Sequence, residues 1–476
     1  MKRRTRLAAF VLALAAGAAA CGPPKGPPPS LVPHPDGNGI WFADGFRSAE
    51  DEASAEASLA RGGVAWVLLP AARLERHGGQ WLVVKRALPP RPVASLPVSL
   101  VIEGSDEVPA ALAEADARAR QSLQAAVALA VRTALADGPR FGAVTGIHLD
   151  LPFTAATAGP YGVLLRKLRR DLPRGSFLSA TLKIDPPLGD RNKLAAVAGA
   201  VDGLVAMIFG EDDRASPAST DLLGRRWWAG YSPNAEGRWT RASGEERLPE
   251  SLLARISDDP SLEFRQDMDV EDRAGLGYLF RARRAMTLAG VHLAAGEQIV
   301  FRQPSLPDMI RLFAGDREGW RFSRGRVVRL AGRSESDRIF TLAALTEITV
   351  GRSLSPNLRV SVEGGPGFVS IAAQNLSPVP SILSRTTNWV EVDLERPGVR
   401  DIRPGGFDRY EVYSDNGKPV SLGRARRVRF FETLVGPFER IAPAVIVTHR
   451  AAPPGCCPYR VHLFSAAGPE VERRGP

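Results

Sequence analysis

Cysteine and histidine are scarce in this chain. Its 476 residues include three cysteines and six histidines, and these do not cluster at the spacing of metal ligands. We therefore expect no metal and no other cofactor. Two of the cysteines, Cys456 and Cys457, are adjacent, which predicts a small, strained disulfide ring in a loop if the protein is exported to an oxidising compartment.

Lysine is also sparse, so the positive charge is carried almost entirely by arginine. The formal net charge is +10, and lysine occurs only at scattered positions such as Lys85, Lys167 and Lys418. No basic run is interleaved with aromatic residues, so we expect no nucleic acid partner. Two interpretations of the arginines stay open: attraction to anionic polymers or lipid surfaces, and a merely solvated surface.

No apolar run is long enough to span a bilayer, and the run at the start has the features of an export signal. Four basic residues precede the apolar stretch, which ends at Cys21. This pattern resembles that of bacterial lipoproteins, in which such a cysteine is acylated; plain cleavage after Ala20 is the alternative. We expect a signal peptide over residues 1–20, a lipid anchor to the membrane at Cys21 and a stiff Pro/Gly-rich tether over residues 21–38. The expected location is the cell envelope, at the outer membrane, facing the periplasm or the surface.

Short apolar strands alternate with helices between residues 39 and 330. This order predicts an α/β fold, a parallel (β/α)8 barrel of TIM type. We place an insertion at about residues 232–295, which is polar and irregular, and the eighth strand at residues 298–302. The other predicted strands lie near residues 41–46, 64–69, 97–103, 144–151, 177–184, 204–209 and 226–231.

The pattern of predicted secondary structure changes after about residue 349. Short β-type runs follow one another, separated by Gly, Pro, Asn and Asp turns at the spacing typical of sandwiches. Residues 350–476 are therefore predicted to form a second, all-β, sandwich-like domain.

The segment from residue 144 to 210 carries a family resemblance. Residues 146–150 read Gly-Ile-His-Leu-Asp, a helix with apolar spacing spans 161–169, and strands follow at 178–181 and 201–207. This series resembles the barrels of family 18 glycoside hydrolases, and more closely the uncharacterised bacterial domain-of-unknown-function family 3142. The resemblance implies a barrel with a carbohydrate site at the strand ends.

The chain departs from the active family pattern at two strand ends. Active members carry Asp-Gly-x-Asp-x-Asp-x-Glu, in which the Glu is the general acid. With the pattern aligned on Gly146, only the last Asp of its acidic positions is kept, as Asp150, and the Glu position is Pro152. A later strand that ends Met-x-Tyr-Asp in active members has Phe209 and Gly210 at its last two positions. The resemblance therefore implies a degenerate barrel that recognises a carbohydrate or envelope glycan without chitinase-type hydrolysis.

Asp150 is the leading candidate for a functional residue, because it ends an apolar strand on the face where barrels place their chemistry. Glycosidases place two carboxylates across the scissile bond, so Asp185 and Glu211 at neighbouring strand ends are candidates for a second catalytic acid. Glu103, at the end of the third strand, is a candidate ligand-binding residue. An active, non-standard glycoside hydrolase is thus one alternative, and a structural or assembly lipoprotein that binds a protein partner is another.

Four further residues are candidates for ligand binding. His148 lies two residues before Asp150, so both side chains point to the same side of the strand. The two are predicted to form a hydrogen-bonded core pair, a proton relay or half of a metal site. Trp227, Trp228 and Tyr231 end the seventh strand and either stack on sugar rings or pack in the core. One of the two tryptophan rings should face into the barrel and the other outward.

Overall fold

The computed structural model describes most of the chain from residue 31 onward. The predicted signal peptide, Cys21 and the first part of the tether lie outside the described residues. Those described are residues 31–114, 116–183, 191–209, 217–234, 236–241, 244–248, 256, 259, 261–269, 276–288, 291–303, 320–333, 340–349, 352, 354–381, 383–394, 398–453, 456–463 and 471–475.

Eight parallel strands close into a barrel, as predicted. The first strand pairs with the second on one side and with the eighth on the other, so the sheet returns on itself. A further strand, Gln80–Lys85, forms an antiparallel hairpin with the extended end of the second. In order around the barrel the eight strands are Asn38–Phe42, Val64–His77, Val93–Gly104, Gly142–Asp150, Phe177–Leu182, Gly203–Phe209, Arg226–Tyr231 and Ser323–Leu330.

Helices follow the strands and cover the outside of the barrel. In Ala158–Asp171 the apolar residues recur at the spacing of one helix face and are buried, which is why this segment packs as a helix. Single 3-10 turns lie at Gly138–Arg140 and Leu422–Arg424. The α-helices are Ala49–Arg61, Val108–Ala113, Ala117–Asp137, Ala158–Asp171, Arg191–Ala198, Pro217–Asp221 and Leu342–Thr349.

Large aromatic side chains fill the barrel and close its amino-terminal end. The indole nitrogens of Trp66 and Trp228 both donate to the carbonyl oxygen of Gly37, at 3.1 and 3.0 Å. The ring of His34 stacks on Phe177 with the ring centroids 4.0 Å apart. Because the chain before the first strand seals this end, the polar side chains at the carboxyl ends of the strands mark the end at which a ligand can enter.

The eighth barrel strand is Ser323–Leu330, so the prediction of residues 298–302 was wrong. The stretch Gln298–Gln303 lies instead in a five-stranded antiparallel sheet, and the predicted irregular insertion is largely β-structure with an apolar core of its own. Each stretch contains two β-branched residues, but Ser323–Leu330 also carries three arginines and a glycine. Its sequence is therefore less typical of a strand, and pairing across the barrel is what identifies it. The other strands of this sheet are Glu236–Arg241, Gly244–Leu248, Leu262–Asp269 and Leu276–Ala282, and a separate hairpin joins Met286–Leu288 to Val291–Leu293.

The C-terminal region folds as two antiparallel sheets, in agreement with the predicted sandwich-like domain. Residues of both sheets, such as Ile371 and Val428, share one buried core. The preceding linker contacts the insertion, since Arg385 Nη1 donates to the carbonyl oxygen of Phe264 at 2.8 Å. One sheet contains Leu358–Gly365, Phe368–Asn375, Arg440–Thr448 and Val399–Arg403; the other contains Arg409–Tyr413, Arg427–Phe431, Trp389–Asp393, Tyr459–Leu463 and Val471–Gly475.

Close packing of the fourth and fifth barrel strands depends on Gly146. A Cβ atom at this position would collide with the backbone of Phe177. We predict that Gly146→Ala lowers the free energy of unfolding by about 3 kcal/mol or more, because a strand backbone cannot move aside as a side chain can. Gly159→Ala is the matched control, since a Cβ there meets nothing within 4 Å. Urea unfolding compares the two, and wild-type stability of Gly146→Ala would contradict this packing.

Candidate functional site

Two carboxylates stand side by side at the carboxyl-end mouth of the barrel. Glu103 on the third strand and Asp150 on the fourth are direct partners in the strand pairing. Each lies two residues beyond a barrel-interior side chain, Val101 and His148 respectively, so both point inward. Neighbouring strands are about 4.8 Å apart, so the two acids share one site.

Asp150 is held in its ionised form by positive charges. Burial alone would raise the pKa of this carboxyl, but Lys183 and Arg329 outweigh burial, and a hydrogen bond from Thr181 acts in the same direction. Lys183 Nζ lies 3.8 Å from Asp150 Oδ1. The net effect lowers the pKa of Asp150, which therefore presents a negative charge and hydrogen-bond acceptors to the barrel mouth.

Glu103 is pushed in the opposite direction. Burial raises the pKa of this carboxyl and the negative charge of Asp150 adds to the effect, while Arg86 and Arg329 partly oppose it. The side chain is also fixed in place, because Arg86 Nε donates to Glu103 Oε2 at 3.0 Å and Arg86 Nη2 donates to the same oxygen. Of the two acids, Glu103 is thus the one that takes up a proton first.

His148 reaches Asp150 through a threonine. Its Nδ1 lies 2.8 Å from Ser179 Oγ and its Nε2 lies 2.9 Å from Thr181 Oγ1. Because the Thr181 hydroxyl donates to Asp150, its oxygen accepts from Nε2–H, and Ser179 donates to Nδ1. Burial lowers the pKa of His148 to about 4, so the ring is neutral at physiological pH. The predicted direct His148–Asp150 pair is therefore a three-residue chain.

Two buried hydrogen-bond donors, the Trp41 indole and the Tyr161 hydroxyl, lie near the hydrogen-bonded series of His148, Thr181 and Asp150. The ring of Trp41 meets the edge of His148 at 5.2 Å, and Arg329 Cζ lies 5.3 Å from the same indole. Tyr161 is fully buried within range of the charge of Asp150, and burial raises the pKa of its hydroxyl. Neither Trp41 Nε1 nor the Tyr161 hydroxyl has a hydrogen-bond partner among the residues that the structure describes.

The aromatic residues at the end of the seventh strand are buried in the core and are not exposed to solvent. Trp228 belongs to the barrel interior, and Trp227 faces outward, where its Nε1 donates to Asp221 Oδ1 at 3.0 Å. One ring thus faces in and the other out. Trp227, Trp228 and Tyr231 are all closed to solvent, which favours the packing interpretation over stacking on a sugar ring.

The remaining predicted residues divide between those placed and those not described. Asp185 and Glu211 lie outside the described residues, so the second catalytic acids proposed from sequence have no described position. The position of Lys183 could have been predicted from the sequence, because side chains two residues apart in a strand point to the same side and Lys183 follows Thr181 at this spacing. Arg86 and Arg329 have none, because they enter the site from the hairpin and from the unrecognised eighth strand.

Two structural tests concern metals and membranes. Over the ranges that the structure describes, no three His, Cys, Asp or Glu side chains converge on a point where they could hold a metal ion. Over the same ranges, no helix combines the length and the apolar character needed to cross a bilayer.

Comparison with known proteins gives a likeness of fold. No family model and no curated protein matches the chain. The chain is similar to a family GH18 chitinase from Chromobacterium violaceum, at 11% identity over 94% of this chain and 97% of that one, with a TM-score of 0.40. It is also similar to a glycoside hydrolase family 18 N-acetylglucosaminidase from Paenibacillus barengoltzii, at 12% identity over 66% and 100%, with a TM-score of 0.38. The spore cortex-lytic enzyme SleL from Bacillus cereus gives 13% identity over 69% and 75%, and a TM-score of 0.36. The similarity to family 18 barrels is one of fold alone, and the resemblance to family 3142 stays a prediction.

The buried imidazole of His148 predicts how stability changes with pH. Its pKa is lowered from 6.5 to about 4, so the folded state resists the proton that the unfolded chain accepts. Above pH 6.5 this imidazole does not lower the free energy of unfolding. Between pH 6.5 and about 4 the free energy of unfolding falls as the pH falls, by up to about 1.4 kcal/mol per pH unit. We predict that His148→Gln reduces the slope of unfolding free energy against pH in this window. Burial also lowers the pKa of His34 to about 4, so some slope remains.

Urea unfolding at a series of pH values measures this slope. The exposed His77→Gln variant is the matched control, because it removes an imidazole that lies on the surface. An equal loss of slope in both variants would contradict the assignment to His148.

Proposed function

We propose that the chain is a bacterial envelope lipoprotein whose barrel recognises a carbohydrate at its carboxyl-end mouth. The observation that carries the proposal is the ionised Asp150, which Lys183 and Arg329 hold at the mouth of the barrel. Sugar hydroxyls both donate and accept hydrogen bonds, so a site that offers a fixed acceptor close to cationic donors suits a glycan. The sequence resemblance to family 18 barrels supports the same class of ligand.

Binding is favoured over chitinase-type hydrolysis because no acid stands where the family mechanism needs one. Pro152 occupies the position of the general acid and has no proton to give. Glu103 is close to Asp150, but Arg86 holds it with two hydrogen bonds. General acid catalysis contributes roughly 10²–10⁴-fold in rate, so its loss leaves a binding site with little turnover.

A second candidate function is a non-standard glycoside hydrolase, and one observation favours it. Glu103 and Asp150 are paired across neighbouring strands, and their surroundings shift their pKa values in opposite directions. Such a split is the pattern of an acid and its anionic partner in glycosidases. In this alternative Glu103 would protonate the leaving oxygen, and Asp150 would stabilise or attack the sugar.

Asp150 gives the direct test of the proposed site. We predict that the purified mature protein binds chitin-type oligosaccharides without cleaving them, and that Asp150→Asn weakens binding about tenfold, because a charged acceptor is lost. Titration calorimetry measures affinity, and chromatography of the incubated sugar measures cleavage. Asp171→Asn, at an exposed helix end, is the matched control.

Two outcomes would change the assignment. Unchanged binding in Asp150→Asn would place the ligand away from this strand end. Turnover that is lost in both Asp150→Asn and Glu103→Gln, but not in Asp171→Asn, would establish the hydrolase instead.

The lipid anchor is tested independently of the barrel. We predict that the wild-type chain partitions with membranes and into detergent, whereas Cys21→Ser stays uncleaved or becomes soluble, because the acyl acceptor is gone. Detergent phase separation measures the partition, with Cys456→Ser/Cys457→Ser as the control for the loss of cysteine. Equal partition of wild type and Cys21→Ser would remove the lipoprotein assignment.

A further inference from the structure

The C-terminal domain contains a cavity that the barrel site does not involve. Its volume is about 190 Å³, and the described residues that line it all belong to this domain. Val369, Leu394 and the disulfide between Cys456 and Cys457 supply apolar surface. Thr448 and Arg450 supply polar groups at the rim.

The walls of the cavity are fixed by the backbone around them. Thr448 N donates to Gly367 O at 2.9 Å, and Ala452 N donates to Gly365 O at 3.0 Å. Gly364 allows the cysteine loop to lie flat against its strand, because a Cβ there would collide with the carbonyl of Pro453 and approach Cys456 Sγ. A cavity held in this way exists before a ligand arrives, which reduces the ordering cost of binding.

One residue that lines the cavity, Cys457, has an unusual backbone conformation. Cys457 has a φ of 74°, in the left-handed region that residues with a side chain rarely adopt. Residues in such strained conformations concentrate at ligand sites. Cys456 and Cys457 are both buried, and both line the cavity.

The rim of the cavity carries a positive charge. Arg450 is exposed and forms no salt bridge within the described part of the chain. Three other arginines of the same domain, Arg427, Arg429 and Arg460, are by contrast paired with the buried Glu391. The guanidinium of Arg450 is thus placed to hold an anionic group at the cavity mouth.

We infer that this cavity is a second binding site, which takes a single sugar residue that bears a carboxylate. The apolar lining contacts the CH face of the sugar ring, and Arg450 pairs with the carboxylate. Thr448 Oγ1 donates its own proton to the carbonyl oxygen of Arg450 at 2.6 Å, so it accepts a hydrogen bond from a sugar hydroxyl. The volume is below the roughly 300–1,000 Å³ of pockets for larger ligands, so it fits one ring and not a chain of them. This site does not rest on the function proposed for the barrel.

D-glucuronate is the probe, and D-glucose is its uncharged control. Saturation-transfer NMR and titration on the full mature chain should show binding of D-glucuronate and at least tenfold weaker binding of D-glucose. Arg450→Ala should weaken D-glucuronate binding about tenfold, whereas Arg440→Ala, an exposed arginine on the strand leading to the cavity, should leave it unchanged. Ala451→Trp should abolish binding, because a large ring at this exposed lining position fills the cavity.

Circular dichroism and thermal unfolding confirm that each variant is folded. No saturation transfer from folded wild type to D-glucuronate would overturn the proposal, and so would equal affinity for D-glucose. Full binding in folded Ala451→Trp would also overturn it, because the ligand would then lie outside this cavity.

Discussion

Closure of the barrel by the first strand is the constraint on which the rest of the structure depends. Asn38–Phe42 pairs with strands that begin at residues 64 and 323, so it joins distant parts of the chain into one ring. Parallel pairing then brings every carboxyl end to the same rim. Glu103 and Asp150 are direct partners on the third and fourth strands, and closure of the ring adds Arg329 from the eighth strand to the same site.

The polar groups within that ring are compatible with burial because each charge is compensated. A lone buried carboxylate would take up a proton rather than stay ionised, and Lys183 and Arg329 prevent this at Asp150. His148 contributes no competing charge, because burial keeps its ring neutral and both nitrogens are hydrogen-bonded. The site is therefore an organised set of donors and acceptors around one fixed negative charge.

The parts of the barrel that depend on a local residue pattern could be predicted from the sequence. Apolar runs at strand length revealed seven barrel strands, and the period of two placed Trp227 and Trp228 on opposite faces. The eighth strand was not predicted, because residues 298–302 are the more apolar stretch while Ser323–Leu330 carries three arginines. Only long-range pairing assigns the second stretch to the barrel. Arg329 lies on that strand and was therefore not predicted as a site residue. Arg86 was not predicted either, because it follows a hairpin that brings it close to Glu103, and no sequence periodicity indicates such a contact.

Pro152 lies in a packed contact between the ends of the third and fourth strands. Leu151 and Pro152 close over Gly104, where a Cβ would lie 2.8 Å from the Leu151 side chain and 3.2 Å from Pro152 Cδ. The third and fourth strand ends are therefore packed together at the position that the sequence resemblance compares with a general acid. A glutamate at this position would have to displace that contact before it reached a substrate. Glu103, at the neighbouring strand end, is held by a hydrogen bond from Arg86, and a charge pattern fixed in this way supports the proposed binding function over proton transfer.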